Sequence, residues 1–390
     1  MKIAHVIASL DPAAGGPPVV AINLAVAEAR LGHQVQMIAH QFPRGVERVS
    51  EILASSGANN LVQIHAIPAP SRIERFTGMA ARAAIGGRIG NVDILHIHGV
   101  WDVLVKAGAD VAWANKVPYV VTPHGMLHPW SLAQKRLKKQ VALKLSYQRM
   151  LDRASLIHVL NRDEGLRIPL RLVPPFATIP NGISLEELAN VPPAGAFYAD
   201  YSELKGQPFI LFLSRLHYKK GLDYLADAFS LLSRRMPDVR LVVVGPDDGA
   251  RTDFEKRIRE AGVTDRTHVI GPLFDKRKFA ALRDASCFCL PSRQEGFSMA
   301  ILEAMALRLP VVISEECHFP EVSERRAGAV LPLSAAAFAD SLQSFLEDES
   351  LRKRAGEAGR QLVEEKFTWP EIGKQIAHEY EAVLERWHKR

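Results

Sequence analysis

Two carboxylates offer the clearest opening for chemistry in this chain. Glu295 and Glu303 stand in LPSRQEGFSMAILEAMA (residues 290–306), with seven residues between them. Pro291 ends the apolar run before them, Gly296 permits a tight turn, and Ser298 is placed to cap an apolar helix starting at Met299. Helical side chains lean back toward the N-terminus, so the spacing predicts that both carboxylates line one mouth. Beside it lies a helix end whose amide N–H groups favour anions and hydroxyl-rich ligands. The same spacing also fits two solvated glutamates at an exposed helix start.

Cations and glycines supply what such a ligand would need. In FILFLSRLHYKK (residues 209–220), Arg215 follows the end of a strand pattern and Lys220 comes just before a helical run. Two cations at the carboxyl end of a strand suit a diphosphate, the arginine as a planar fork and the lysine as a point charge. A solvated basic turn is the other reading. Near the start, Gly15 and Gly16 precede a helix and would let backbone amides approach a phosphate closely. The dinucleotide fingerprint G-x-G-x-x-G is absent there, and no acidic residue closes the next strand, which counts against a dehydrogenase.

Histidines crowd one half of the sequence: His96 and His98 in LHIHGVW, His124 in TPHGM, His158 in IHVLN. Each follows a strand-like run, so all could project from one sheet end. No pair has the spacing of H-E-x-x-H, which argues against a metal, and Asp247 and Asp248 in VVVGPDDG read as a polar loop. The stretch SLAQKRLKKQVALKLSYQRM (residues 131–150) carries Lys135, Arg136, Lys138, Lys139, Lys144 and Arg149 without an acid. Leu137, Val141 and Leu145 recur at four-residue steps, which predicts a basic amphipathic helix for an anionic membrane or acceptor, or an ordinary solvated face.

Alternating elements must position these residues. Apolar runs at residues 2–9, 34–39, 92–97, 117–122 and 155–160 predict buried strands, with a helix over 19–30 after the glycine loop. IPNGI (residues 179–183) closes this half. Residues 190–208, rich in proline, alanine and glycine without periodicity, read as a linker. Strand patterns then restart at 209–214, 240–245, 268–270, 285–290 and 311–314. The expected fold is α/β, two Rossmann-like domains facing across a cleft, spanning residues 1–189 and 209–369. A last helix over 370–390, with Ile372, Ile376, Tyr380 and Leu384 at helical spacing, is expected to pack back on the first domain.

The 390 residues suit two cores, and 47% hydrophobic with 24% charged residues is an ordinary globular composition. A net charge of +6 suits a phosphate-bearing ligand, an anionic membrane or a nucleic acid. Cys287, Cys289 and Cys317 form neither a disulfide framework nor a zinc set and read as buried thiols. The N-terminal apolar run is too short for a signal peptide and no window is long enough for a membrane span, so a cytoplasmic protein is expected.

Taken together, SRLHYKKGLDYLADAF, VVVGPDDG and CLPSRQEGFSMAILEAMA resemble the second domain of family 4 retaining glycosyltransferases of the GT-B architecture. GGPP, DILHIHGVW, TPHGML and IPNGI are similar to that family's first domain, so the resemblance spans nearly the whole chain. It implies a sugar nucleotide as donor substrate, a glycan or lipid-linked acceptor, no cofactor, no metal and no nucleic acid. By the same resemblance Arg215 and Lys220 hold the diphosphate with help from Gly15 and Gly16, and Glu303 takes the ribose. Glu295 binds the transferred sugar, with His124 beside it. Gly296, Phe297 and Ser298 supply backbone and helix-end contacts, and the base lies near Gly271 and Leu273. His98, Trp101, Lys135, Arg136, Lys138 and Lys139 are candidates for acceptor or membrane contact, which would bring the protein to the inner face of the cell membrane. A nucleotide-sugar epimerase of the same architecture and a non-catalytic nucleotide-sugar binder are the competing readings. The intact Glu295, Arg215 and Lys220 argue against the binder, and TPHGML argues for the transferase.

Overall fold

A computed structural model of the chain describes all residues except 12–15, 43–44, 46–48, 51–52, 55–56, 59, 187, 189–190 and 390. The protein divides into two compact units, one of residues 1–182 with 369–390 and one of 183–368. Among the described residues no helix is long and apolar enough to cross a membrane.

The first unit is built on a parallel sheet of β1 (Lys2–Ser9), β2 (Gln34–His40), β3 (Val62–Ile67), β4 (Ile94–His98), β5 (Tyr119–Thr122), β6 (Leu156–Val159) and β7 (Phe176–Thr178), in the order β3-β2-β1-β4-β5-β6-β7. β4, β5 and β6 are buried at every position because helices cover both faces of a parallel sheet. One face is covered by α1 (Gly16–Arg30), whose VVAINLAVAEA core is apolar nearly all round. The C-terminal helix Trp369–His388 lies against α1 and contributes Ile372, Ile376 and Tyr380 to the same core. The two helices come so close that a Cβ on Gly373 would sit 2.9 Å from that of Ala27. On the other face, α2 (Val103–Ala114) packs under the Asp102 side chain, which accepts a hydrogen bond from the Leu104 amide at 2.8 Å.

The second unit repeats the plan with β8 (Phe209–Leu213), β9 (Arg240–Val244), β10 (Thr267–Ile270), β11 (Cys287–Leu290), β12 (Val311–Ser314) and β13 (Gly328–Leu331), ordered β10-β9-β8-β11-β12-β13. Its helices include α3 (Leu222–Arg235) and α4 (Met299–Ala306). In each unit the strand order reverses once, between β1 and β4 and between β8 and β11. Ligands of open α/β sheets bind outside the carboxyl ends of strands at such reversals.

Residues 190–208 are not a linker. Phe197 and Leu204 are 3% and 0% exposed within the second unit's core, and the Gly195 and Phe197 amides donate to the Asp284 carboxylate at 2.7 and 2.9 Å. Composition resembled a linker because the buried anchors are few and lack periodicity. The boundaries fall instead after Gly182 and before Trp369. All three cysteines are buried free thiols.

Candidate active site

In the second unit the site is assembled at the carboxyl ends of β8 and β11. Past β8 the chain runs through Arg215 into a single turn, Tyr218–Lys220, that ends at Gly221 before α3. The Arg293 amide donates to the Lys219 carbonyl at 2.6 Å, and the Arg293 guanidinium donates to Asp223 at 2.7 Å while stacking on Tyr218 and Tyr224. These contacts pin the lysine turn to the loop that carries Glu295.

Within that pinned pair of loops, Lys220 Nζ meets Glu295 Oε1 at 2.6 Å, with the side chains only 14% and 8% exposed. Ser292 Oγ donates to the same carboxylate oxygen at 2.7 Å, and the Glu295 amide donates to the Glu316 carbonyl at 3.0 Å. A largely buried carboxylate held by a cation and a hydroxyl has a fixed orientation and can accept from ligand hydroxyls. The Cys317 thiol behind it is pushed up to about 12 by burial and then by the Glu295 charge, so it stays protonated. Lys219 is pushed down to about 8 by burial and then by Lys220.

The remaining expected donor contacts have other neighbours. Arg215 donates to Asp248 at 2.7 Å in an exposed pair. Glu303 pairs with Lys278 at 2.7 Å, so the two glutamates have separate cationic partners. Ser298 occupies the residue before α4, but its side chain makes no capping bond. Phe297 packs on Phe319 and Phe367, at 5.5 and 6.2 Å between ring centres. Gly271 is exposed and Leu273 half-buried at the end of β10, and Gly296 is exposed before α4.

In the first unit Gly16 is exposed at the start of α1, while Gly15 lies outside the described residues. His124 and Gly125 both take positive φ, +52° and +73°, just past β5. The Glu164 carboxylate holds this bend by accepting from the Gly125 amide at 2.7 Å and the Leu160 amide at 2.8 Å. Burial pushes the Glu164 carboxyl up, partly offset by those two bonds. Burial, with His158 second, pushes His124 down to about 3, so its ring is neutral near pH 7.

His98, expected at an acceptor or membrane surface, is instead only 3% exposed. Its register places it on β4 opposite Ile7 of β1, two residues from His96, which faces His5. Side chains two apart on a strand share a face. His5, His96 and His98 thus lie within 4.8 Å of one another, but hydrogen bonds of 2.6–3.1 Å engage the ring nitrogens of all three. From sequence, His5, Glu28 and Thr122 are not singled out, and Tyr380 only as a position on the packing face of the last helix. The available signal was a histidine inside the apolar strand KIAHVIAS and a glutamate inside an apolar helix, since buried polar groups demand partners.

The basic stretch 131–150 is not one helix. It breaks at Gln134 and Lys135, the latter at φ +52°, and resumes as Arg136–Ala142, a wider π turn Leu143–Tyr147, and Gln148–Asp152. Lys139 turns back to donate to the Ser131 carbonyl at 2.6 Å and lies 5.3 Å from the Trp101 ring centre. Lys135, Arg136 and Lys138 are exposed.

Comparison with known proteins follows the same division. Residues 198–362 match the family "Glycosyl transferases group 1" and residues 15–182 match "Glycosyl transferase 4-like domain". The chain is 27% identical to the phosphatidyl-myo-inositol mannosyltransferase of Mycobacterium leprae over 95% of this chain and 93% of that protein. It is 25% identical to the alpha-maltose-1-phosphate synthase of Mycobacterium tuberculosis, over 90% and 99% respectively. Among solved structures, HepE from Anabaena in complex with UDP superposes with TM-score 0.76 at 18% identity, covering 98% of this chain and 100% of that one. A glycosyltransferase from Rickettsia africae does so with TM-score 0.75 at 18% identity, covering 98% of each. With both of its Rossmann-like units matched, the chain belongs to the group 1 glycosyl transferases, with a 4-like first domain and the GT-B fold.

Proposed function

We propose that this glycosyltransferase moves a sugar from a nucleoside-diphosphate sugar to a hydroxyl of a glycan or lipid-linked acceptor, with retention at the anomeric carbon. The observation that carries the reading is the Lys220–Glu295–Ser292 cluster, a fixed carboxylate beside a cation at the carboxyl end of β11. The similarity to a protein named phosphatidyl-myo-inositol mannosyltransferase supports a lipid-linked acceptor and work at a membrane face.

In this reading Arg215 and Lys220 exchange their carboxylate partners for the diphosphate, with Gly16 amide help, and Glu303 takes the ribose hydroxyls. Glu295 accepts from hydroxyls of the transferred sugar, and His124 touches that sugar as well. As the anomeric C–O bond breaks, charge grows on the departing phosphate, where fixed cations and helix-end amides lower the barrier. The acceptor oxygen attacks from the face the phosphate leaves, and its proton passes to a phosphate oxygen. The two cations carry the charge compensation in place of a metal ion.

The test is transfer from a panel of nucleotide sugars to lipid and glycan acceptors, followed by NMR of the product anomer. Glu295→Gln is expected to lower transfer by about 100-fold or more, a loss typical of one electrostatic contact in a transfer site. Because Glu295 competes with a diphosphate for Lys220, the variant should bind nucleoside diphosphate at least as tightly by calorimetry. Undiminished transfer in Glu295→Gln would remove the assignment, and donor epimerisation without an acceptor would replace transfer by isomerisation.

A further inference from the structure

The first unit buries a continuous chain of polar side chains that ends at His124. From one end it runs from the Ile179 carbonyl to His158 Nε2 (2.7 Å), and from His158 Nδ1 to Thr122 Oγ1 (2.9 Å). Thr122 Oγ1 meets His96 Nε2 (2.6 Å), and His96 Nδ1 meets the Tyr380 hydroxyl (2.6 Å). Tyr380 then meets Glu28 Oε1 (3.0 Å), and Glu28 Oε2 meets His5 Nε2 (2.6 Å). His5 Nδ1 meets His98 Nε2 (2.9 Å), and His98 Nδ1 meets His124 Nε2 (3.1 Å). All members but His124 are at most 3% exposed.

Each of these eight contacts needs one proton. Five neutral histidines, one threonine and one tyrosine bring seven when Glu28 is ionised. One contact would then set two lone pairs against each other among buried side chains, which costs the desolvation of a polar group. The carbonyl of Ile179 brings no proton, so it must receive one from His158.

We propose that this chain holds one proton beyond that set, shared among Glu28, His96 and His158, and that it thereby locks His124 as the Nε2–H tautomer with Nδ1 as a bare acceptor. Wherever among those three the extra proton sits, filling every contact sends the protons of His124, His98 and His5 one way, toward Glu28. Burial and neighbouring imidazoles hold His98 well below its ordinary range, which agrees with a neutral ring that passes direction rather than charge. Burial likewise pushes His96 down and His158 down to about 4, which disfavours the two histidines against Glu28 as the seat of the extra proton. Among the described residues none bonds His124 Nδ1. Resting on the transfer reading above, the group that His124 meets on the substrate is then a proton donor, a hydroxyl, and neither a carboxylate nor a phosphate. Glu28, His5 and His98 are positioning residues.

Long-range nitrogen–proton NMR of the full chain with ring-labelled histidine, without substrate, reads each tautomer directly. His5, His98 and His124 are expected to show protonated Nε2 and bare Nδ1 at pH 7, and His158 a protonated Nε2. A protonated Nδ1 on His5, His98 or His124, or the averaged signal of a mixed tautomer, overturns the proposal. Glu28→Gln mimics a protonated carboxyl, its amide oxygen accepting from His5 and its N–H donating to Tyr380, and is expected to keep the pattern. Loss of the pattern in a folded Glu28→Gln chain also overturns it. His98→Phe, which removes the acceptor for His124, is expected to mix the His124 tautomers and lower transfer about tenfold, the worth of roughly one hydrogen bond. Unchanged tautomers in His98→Phe count against the lock. Because the spectra need no turnover, a chain that shows the pattern but transfers no sugar removes the functional reading alone.

Discussion

At the scale of single residues, the position of Lys220 depends on a glycine. Gly221 has φ +66°, and a Cβ there would sit 1.8 Å from the Pro291 carbonyl oxygen. That close approach lets the Lys220 turn lie against the loop of Ser292 and Glu295, so the 2.6 Å pair exists only while residue 221 lacks a side chain. Gly221→Ala is expected to destabilise the protein by about 2–3 kcal/mol, the sum of a left-handed backbone and a displaced loop. It should also weaken nucleoside diphosphate binding. Urea unfolding and calorimetry check both, and an unchanged unfolding midpoint would show that the loops can part freely. The sequence placed Lys220 and Gly221 side by side, but not the carboxylate that Lys220 meets 75 residues later. A pairing of that separation is created by the strand order β8-β11, which local pattern does not carry.

At the scale of elements, the broken helix past Lys135 leaves an apolar ridge in solvent. Leu137, Val141 and Leu145 are 79%, 56% and 74% exposed, among exposed Lys135, Arg136 and Lys138. Such a ridge suits the interface of an anionic bilayer, where each leucine gains on the order of 1 kcal/mol by partial burial. Replacing Leu137 and Leu145 together by serine is expected to lower binding to phosphatidylglycerol vesicles about tenfold or more in a sedimentation assay, and uncharged vesicles should bind the native chain weakly. Equal sedimentation of native and variant chains would assign the ridge no membrane role. The four-residue apolar step was visible in sequence; the break at Gln134 and Lys135 was not, because neither residue is a strong helix breaker. The same limit applies to strands. β11 was readable as a continuous apolar run and β4 as a mostly apolar one, whereas β3, with Gln63 and His65 at exposed and half-exposed positions, is an edge strand whose mixed composition hid it. β7 and β13 are edges as well, three and four residues long.

At the scale of the whole molecule, the two units place their ionisable groups differently, and pH should separate them. His98 and His124 belong to the first unit, and burial keeps both neutral in the folded state, His124 down to about 3. In the unfolded chain each takes up a proton below about pH 6.5. The unfolded state therefore binds more protons, and stability falls as pH drops through about 6.5 toward the folded values, by up to about 1.4 kcal/mol per pH unit for each group. The loss concerns the core of β1, β4 and β5 with the C-terminal helix. All five tryptophans, Trp101, Trp113, Trp130, Trp369 and Trp387, fall within residues 1–182 and 369–390, so their fluorescence reports that unit alone. Between pH 7 and pH 5 the tryptophan-detected melting temperature is expected to drop further than the transition of the second unit seen by calorimetry. Replacing His98 by phenylalanine removes one titrating group and should flatten the slope. Parallel decline of both transitions would mean that the acid sensitivity lies outside the histidine chain, in groups common to the two units.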